Sequence, residues 1–322
     1  MNQADVLAPS PSTMASAPSG EGHALIRRVR FLSAMAVSVT IFWHVGRWAA
    51  SPADPAAPIT LMGVDQGVIA MAELLGLGVI ASGLAMAICG PGSADRGALA
   101  IAIGLAALGL RGTQLDSFVL YRLGVGEEPG SDVSAFPAVA LVAETWLWLA
   151  LIAVGFVVGK WVQSWFEAEG SRGAAATKSI DQPPDIRQGL GAIAVVSLVA
   201  WLIVSYAMGD EANPLLKGQI YFCVGMAFLI GSMMANWLFR LHSRVWLLVS
   251  VALVATAAYL FAGPDAPALA AASQKGTYLV LRSVVRPLPI EYAALGAVGV
   301  LLENDAARML RALFGLQPVE AR

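Results

Sequence analysis

Long apolar runs separated by short polar segments occupy most of the chain from about residue 30 onward. A soluble chain would instead alternate polar and apolar faces within each element, whereas here the polar residues gather between the runs. Each run is close to the ~20 residues that cross a bilayer as a helix. The pattern therefore predicts an all-α, polytopic integral membrane helical bundle of about eight transmembrane helices, seven of them clear and the eighth broken. The predicted spans are residues 30–50, 66–89, 97–118, 137–160, 188–208, 218–238, 245–262 and 277–303.

The eighth span departs from this pattern because charged residues and prolines interrupt its first third. The stretch reads GTYLVLRSVVRPLPIEYAALGAVGVLLE. Pro287 and Pro289 each remove a backbone donor, and each disfavours helical geometry in the residue before it. We therefore predict a break between Arg282 and Glu291, as either a broken helix or a short re-entrant piece followed by a helix from about residue 288.

A long polar segment divides the chain into two sets of four predicted spans. We predict a disordered N-terminal tail at 1–24, because this stretch is rich in Pro, Ser, Ala and Gly and has no periodicity. The first membrane half covers 25–160, a cytoplasmic linker covers 161–187, the second half covers 188–303 and a C-terminal tail covers 304–322. Four spans return a chain to its starting side, so the halves would be two parallel repeats. Chance similarity between Ala-rich and Leu-rich helices is the alternative.

The composition agrees with a membrane protein and narrows the possible partners. Hydrophobic residues make up 57% of the chain and charged residues 13%, against about 25% charged in soluble domains. The formal net charge is −2 and no basic block is large enough to bind phosphates, so we expect no nucleic-acid partner. The expected partners are membrane lipids, a small polar or charged solute, and other subunits in a homo- or hetero-oligomer formed through membrane helices.

The distribution of Lys and Arg predicts the orientation of the helices. With the N-terminus inside, 13 of the 20 basic residues fall in cytoplasmic segments, 4 in outer segments and 3 within spans. Cytoplasmic loops normally hold the excess of positive charge. We therefore predict a protein of the cell (inner) membrane with both termini in the cytoplasm.

Residues that bind metals or cofactors are scarce. His23 lies in the tail, His44 near the outer end of a span and His242 in an inner loop, so we expect no metal site and no cofactor. Cys89 and Cys223 fall at opposite membrane faces in this topology, much too far apart for a disulfide. We expect both cysteines to be small buried hydrophobic side chains.

Ionisable residues within the predicted spans concentrate in the outer half of the membrane. On the first span, Ser33, Thr40, His44 and Arg47 share one helix face, which we expect to look into the bundle. Charged groups inside a bilayer normally face a protein interior or a wet cavity and pair with one another. The sequence therefore predicts an outward-facing polar cavity with the candidate residues His44, Arg47, Glu73, Arg111, Glu144, Arg282, Arg286 and Glu291.

Three of these candidates lie within about two helical turns, or ~10 Å, of the outer boundary. We predict that His44, Glu73 and Glu144 approach one another, with Arg111 or Arg286 as the counter-charge, because an unpaired buried carboxylate is unfavourable by several kcal/mol. The cluster has two interpretations. It is either a site for a charged or polar solute, or a set of interhelical salt bridges that only holds the helices together.

No catalytic signature in the sequence names a reaction, so three functions stay open. The first is a transporter-like or solute-binding membrane protein with an outward-facing polar cavity. The second is a membrane-embedded acyl or group transferase that uses His44. The third is a noncatalytic subunit of a membrane complex.

The transferase hypothesis depends on a resemblance near the start of the chain. The run from Arg30 to His44, a basic residue followed by apolar residues and a histidine, resembles the beginning of integral-membrane acyltransferases. The stretch VGMAFLIGSMMANWLFRLHSRVWLL is similar to the later helices of that family. The resemblance implies that His44 is a general base and that Glu73 orients it. The chain departs from the family in its lower span count, its longer Arg-to-His separation and its lack of a second motif.

Overall fold

The computed structural model of this chain is an all-helical bundle. Every regular element among the residues that it describes is a helix or a helical turn. The all-α prediction is therefore confirmed for that part of the chain. The structure describes residues 20–50, 58–64, 66–90, 95–115, 136–170, 186–209, 215–239, 244–264 and 281–313.

The helices correspond in order to the predicted spans. A π-helical turn, Phe42–Gly46, interrupts the first span, and short 3-10 turns occupy Leu61–Gly63 and Ser283–Val285. The α-helices are α1 (Gly20–Ile41), α2 (Arg47–Ala50), α3 (Gly67–Cys89), α4 (Asp95–Gly109), α5 (Ala138–Gly170), α6 (Ile186–Met208), α7 (Lys217–Phe239), α8 (Val245–Phe261) and α9 (Pro289–Leu313).

Five helical segments are long and apolar enough to cross a membrane. Of the remaining helices, α4 has 15 residues and α8 has 17, whereas α9 has 25 residues but carries several charged side chains. Large apolar side chains such as Val68, Tyr206 and Phe222 are strongly exposed, as expected for helices that lipid surrounds. The five segments are Leu25–Ala50, Gly67–Cys89, Ala138–Phe166, Ile186–Met208 and Lys217–Phe239.

Several helix ends differ from the predicted spans. The third predicted span ran to residue 118, but α4 ends at Gly109, so this helix is shorter than a full crossing. In the eighth predicted span, residues 277–280 lie outside the described residues, and the predicted break is present in the rest, since α9 begins at Pro289 after a single 3-10 turn. Proline favours the first position of a helix, where its missing N–H is not needed.

Parts of the predicted domain plan lie outside the described residues, namely 1–19 of the tail, 171–185 of the linker and 314–322 at the C-terminus. Within the described part, helix extends into each predicted polar segment. α1 begins at Gly20, α5 runs on to Gly170 and α9 runs on to Leu313.

Four helix contacts recur in the two halves, whereas the packing of α3 on α4 has no counterpart between α7 and α8. In the first half, α1 packs on α3 and α4, and α5 also packs on α3 and α4. In the second half, α6 packs on α7 and α8, and α9 also packs on α7 and α8. Across the halves, α4 contacts α9 while α5 contacts α8, and α5 contacts α9. α4, and α9 as far as Glu303, are buried along almost their whole length and therefore lie at the centre of the bundle.

Small residues set the closest helix contacts. A Cβ atom on Gly155 would lie 2.6 Å from the Cα of Ala98, so α5 and α4 touch backbone to backbone. A Cβ atom on Gly299 would lie 2.5 Å from the carbonyl oxygen of Gly225, so α9 and α7 do the same. Close approach through glycine is the usual way in which membrane helices pack without large side chains. The two cysteines are free and buried, as predicted.

Candidate functional site

The residues Gly109, Glu144, Lys217 and Glu291 lie at one end of the bundle, where α4 stops and α5, α7 and α9 begin. We call this region the charged end. Glu291 is the third residue of α9 and is fully buried. Its Oε2 accepts a hydrogen bond of 2.9 Å from the N–H of Leu288, the residue just before the helix. This is the capping interaction that glutamate makes at the third helical position.

Lys217 supplies the positive charge for this carboxylate. Its Nζ lies 3.2 Å from Glu291 Oε1, and its side chain is 16% exposed. The same ammonium donates a 2.5 Å hydrogen bond to the carbonyl of Gly109, the last residue of α4. One cation therefore joins the negative C-terminal end of α4 to a carboxylate at the positive N-terminal end of α9.

Tyr221 adds a second donor to the end of α4, because its hydroxyl donates a 2.7 Å hydrogen bond to the carbonyl of Ala106. Gly109 permits this approach, since a Cβ atom there would lie 2.7 Å from the Tyr221 hydroxyl. The last carbonyls of a helix have no intrahelical partner. Lys217 binds the carbonyl of Gly109 where α4 stops, and Tyr221 is a second donor to the carbonyl of Ala106, which also accepts the N–H of Leu110 at 3.2 Å.

A second buried carboxylate, Glu144, lies in the second turn of α5 and is 2% exposed. Its Oε1 accepts 2.9 Å and 3.0 Å hydrogen bonds from the N–H of Leu61 and from Trp148 Nε1. Its Oε2 is buried without a hydrogen-bond partner in the described part of the chain. Glu144 thus binds neutral donors and keeps one oxygen unused.

The segment 58–63 packs against the charged end and carries the Leu61 donor. Its residues Pro58, Ile59 and Thr60 are buried. A Cβ atom on Gly112, just after α4, would lie 2.6 Å from the nitrogen of Ile59. The segment is therefore held between the end of α4 and Glu144.

Two tyrosine hydroxyls donate hydrogen bonds to carbonyls of the irregular backbone before α9. The hydroxyl of Tyr259 donates a 2.5 Å hydrogen bond to the carbonyl of Pro287, and that of Tyr292 donates one of 2.5 Å to the carbonyl of Val284. Their rings pack edge to face with centroids 6.0 Å apart. Non-helical backbone at membrane depth requires such partners when protein surrounds it.

The first-span face that we expected inside the bundle points outward. Ser33, Thr40, His44 and Arg47 are all exposed, so this prediction is wrong. The inward face instead carries Ser38 and Phe42, which are fully buried. The physical reason lies on α4, where a Cβ atom on Gly104 would lie 2.2 Å from the Phe42 ring and 2.8 Å from Ser38 Oγ.

The predicted approach of His44, Glu73 and Glu144 is not seen. His44 and Glu73 are exposed, whereas Glu144 is enclosed by Leu61 and Trp148. Packing decides this outcome, because α3 buries the face that carries Leu74 and Gly78 and so turns Glu73 outward.

Of the two arginines predicted as counter-charges, one is exposed and one is buried. Arg111 is exposed, donates a 3.0 Å hydrogen bond to the carbonyl of Trp43 and lies 4.7 Å from the centre of its ring. Arg286 is buried and donates from Nε to the carbonyl of Leu281 at 3.0 Å. Arg282 is exposed. Of the eight candidates, Glu144, Arg286 and Glu291 are therefore the buried ones.

Lys217 and Tyr221 are the residues at this site that the sequence analysis missed. The predicted span 218–238 left Lys217 just outside the membrane, yet Lys217 is the first residue of α7. A lysine in the first helical turn is unfavourable beside the positive end of the helix, so its position was a signal that it has a buried partner.

The opposite end of the bundle also carries polar contacts, but they join different helices. Arg244 lies 2.6 Å from Asp95, and Asn236 donates a 2.6 Å hydrogen bond to the buried Glu303. Between α6 and α8, a groove of about 550 Å³ is lined by apolar residues together with Ser197 and Thr256. The groove has no ionisable lining residue, so the charged end is the better candidate for a site that binds a charged solute.

Within the described ranges, no three His, Cys, Asp or Glu side chains come together as they would around a metal ion. No family model, no curated protein and no solved structure matches this chain.

Proposed function

We propose that this protein binds a small polar or charged solute at the charged end and moves it across the membrane. The observation that supports this function best is the ion pair between the partly exposed Lys217 and the fully buried Glu291, at the junction of two helices that end inside the bundle. Binding sites of membrane transporters typically lie where discontinuous helices place their termini in the protein interior.

A purely structural role explains the Lys217–Glu291 pair less well than a binding function does. Removing two charges from water is unfavourable, and an apolar pair of similar volume often stabilises a protein as well or better. A binding function explains why both charges are present. An anionic group of a solute would compete for Lys217, and a cationic group would compete for Glu291, so a zwitterion would replace both contacts.

Glu144 supports the proposal from the adjacent helix. Its carboxylate has an unused oxygen and contacts a segment outside the long helices. It can exchange a proton or a cation without the loss of an ion pair. We assign it the role of coupling such an exchange to movement of the segment 58–63.

The proposal includes a topology of eight crossings with both termini in the cytoplasm of a cell membrane. The neighbour pattern of the two halves supports it, since four of the five helix contacts within the first half recur in the second. Under this topology the charged end faces outward and the site opens to the exterior. The same pattern supports two parallel repeats.

Solid-supported membrane electrophysiology on proteoliposomes tests the function directly. Concentration jumps would present α-amino acids, primary amines and carboxylates in turn. We expect a saturable current for one class, reduced at least tenfold in Glu144→Gln and Glu291→Gln and unchanged in Lys160→Met, which alters an exposed lysine. Folded wild-type protein that gives no current above empty liposomes with any class would contradict the proposal.

A second candidate function is acyl or group transfer at His44. The observation that favours it is the π-helical turn Phe42–Gly46, which contains His44. Such turns occur frequently at functional sites. Under this hypothesis, His44→Ala abolishes activity, whereas Glu144→Gln does not.

A further inference from the structure

Glu73 lies on the outward face of a membrane-spanning helix, which is an unusual place for a carboxylate. It is the seventh residue of α3, about 9 Å from the start of that helix at the usual rise per residue. Its side chain is exposed, and within the described residues it makes no ion pair. Acidic residues in membrane spans normally face protein and have a partner. The position of Glu73 therefore indicates a protein contact on this face.

A group of complementary chemistry lies on the neighbouring helical segment. His44 is exposed in the π-helical turn, six residues before the end of α2 at Ala50. Because Glu73 is six residues after the start of α3, both side chains lie at similar depth in this end of the bundle. The π-helical turn packs against α3, so an exposed imidazole and an exposed carboxylate lie on adjoining helical segments, and two copies related by a twofold axis would each offer the other a complementary pair.

The same face of α3 lets another helix approach closely. Glu73, Gly76, Ile80 and Gly83 are spaced 3, 4 and 3 residues apart, so they share one helix face. A Cβ atom on Gly76 or on Gly83 would meet nothing within 4 Å. Glycines at such spacing let two helix backbones pack together in a membrane.

We propose that this surface of α3 pairs with the same surface of a second copy of the chain in a twofold symmetric dimer. In a twofold interface each contact occurs twice. Glu73 of one copy binds His44 of the other, and His44 of the first copy binds Glu73 of the second. Gly76 and Gly83 face their counterparts and set the distance between the two α3 helices. This inference is independent of the proposed function.

Disulfide trapping in native membranes tests the geometry. In a background in which Cys89 and Cys223 are replaced by alanine, Gly76→Cys should give a covalent dimer on mild oxidation, since a disulfide requires Cα atoms about 4.4 to 6.8 Å apart. The control is Leu198→Cys, an exposed mid-helix position on α6, which should stay monomeric.

The dimer equilibrium in detergent tests the polar contact. Two lost interhelical contacts should make Glu73→Gln or His44→Gln dimerise about tenfold more weakly, as measured by light scattering over a concentration series. The swapped variant His44→Glu with Glu73→His should regain most of the affinity. Circular dichroism melting would verify that each variant is folded.

Three results would overturn the proposal. The first is a wild-type monomer at all concentrations together with equal trapping of Gly76→Cys and Leu198→Cys, which would mean that lipid alone covers the face. The second is a trapped product whose mass shows a different protein. The third is a dimer whose affinity neither the single variants nor the swap changes.

Discussion

Glu144 and Glu291 occupy comparable places, since each lies near the start of the fourth helix of its half and each is almost completely buried. Their partners differ. Glu291 has a lysine at 3.2 Å, whereas Glu144 has a peptide N–H and an indole N–H and no cation in the described part of the chain. Glu291 therefore belongs to a neutralised ion pair that joins two helix ends. Glu144 is either charged without a cation beside it or protonated, and it binds the partly buried segment 58–63 through the N–H of Leu61.

This difference shows that the role of a carboxylate in a membrane helix cannot be inferred from its burial alone. An ion pair resists the removal of either member, because the remaining charge stays in a low-dielectric environment. A carboxylate with neutral donors can change its charge while its hydrogen bonds persist. At the charged end, Glu291 therefore keeps its charge in an ion pair, whereas Glu144 can gain or lose a proton.

The largest expected effect is that of Lys217→Met, which leaves Glu291 buried without a cation. We expect a loss of about 3–5 kcal/mol in the free energy of unfolding. Thermal melting in detergent would measure it, with Lys160→Met as the matched control. The double variant Lys217→Met with Glu291→Leu should recover most of the loss, since no buried charge remains. A single variant as stable as the control would show that the pair contributes nothing to the fold.

An effect of intermediate size is expected at Glu144, where Glu144→Ala should destabilise the protein more than Glu144→Gln. Alanine removes the acceptor for both Leu61 and Trp148, and each unsatisfied buried donor is unfavourable by about 1–3 kcal/mol. Glutamine keeps an acceptor oxygen and should remain within about 1 kcal/mol of wild type. The same melting assay compares the two variants. Equal stability of alanine and glutamine would contradict the role of Glu144 in holding the segment 58–63.

The smallest effect is expected for Arg111→Gln, which alters an exposed arginine that the sequence analysis had placed in the cavity. Its contact with the Trp43 ring and carbonyl should contribute about 0.5–1 kcal/mol. Melting curves should therefore shift little, and solute currents should keep their size. A variant that lost its current while remaining folded would place Arg111 in the site after all.

Part of the candidate site could be predicted from local sequence. Pro289 at the first helical position and Glu291 at the third form a recognisable helix start, so the break in the last span followed from the residues themselves. The burial of Glu144 also agrees with the rule that intramembrane charge faces protein. The same rule gave the wrong orientation for His44 and Glu73. The rule states that a charged residue in a membrane helix contacts protein, but it does not state whether this contact lies within one chain or between two copies of it.

The sequence by itself determined the class of protein and the order of its helices, because the length and polarity of each run act locally. For the same reason it predicted a break before Glu291 and a helix from about residue 288, close to the observed start at Pro289. Only the tertiary structure decided which face of each helix is buried, because that depends on small residues of other helices, as when Gly104 accepts Phe42. It also decided that Lys217, distant in sequence, is the cation for Glu291, since their contact requires α7 and α9 to pack side by side.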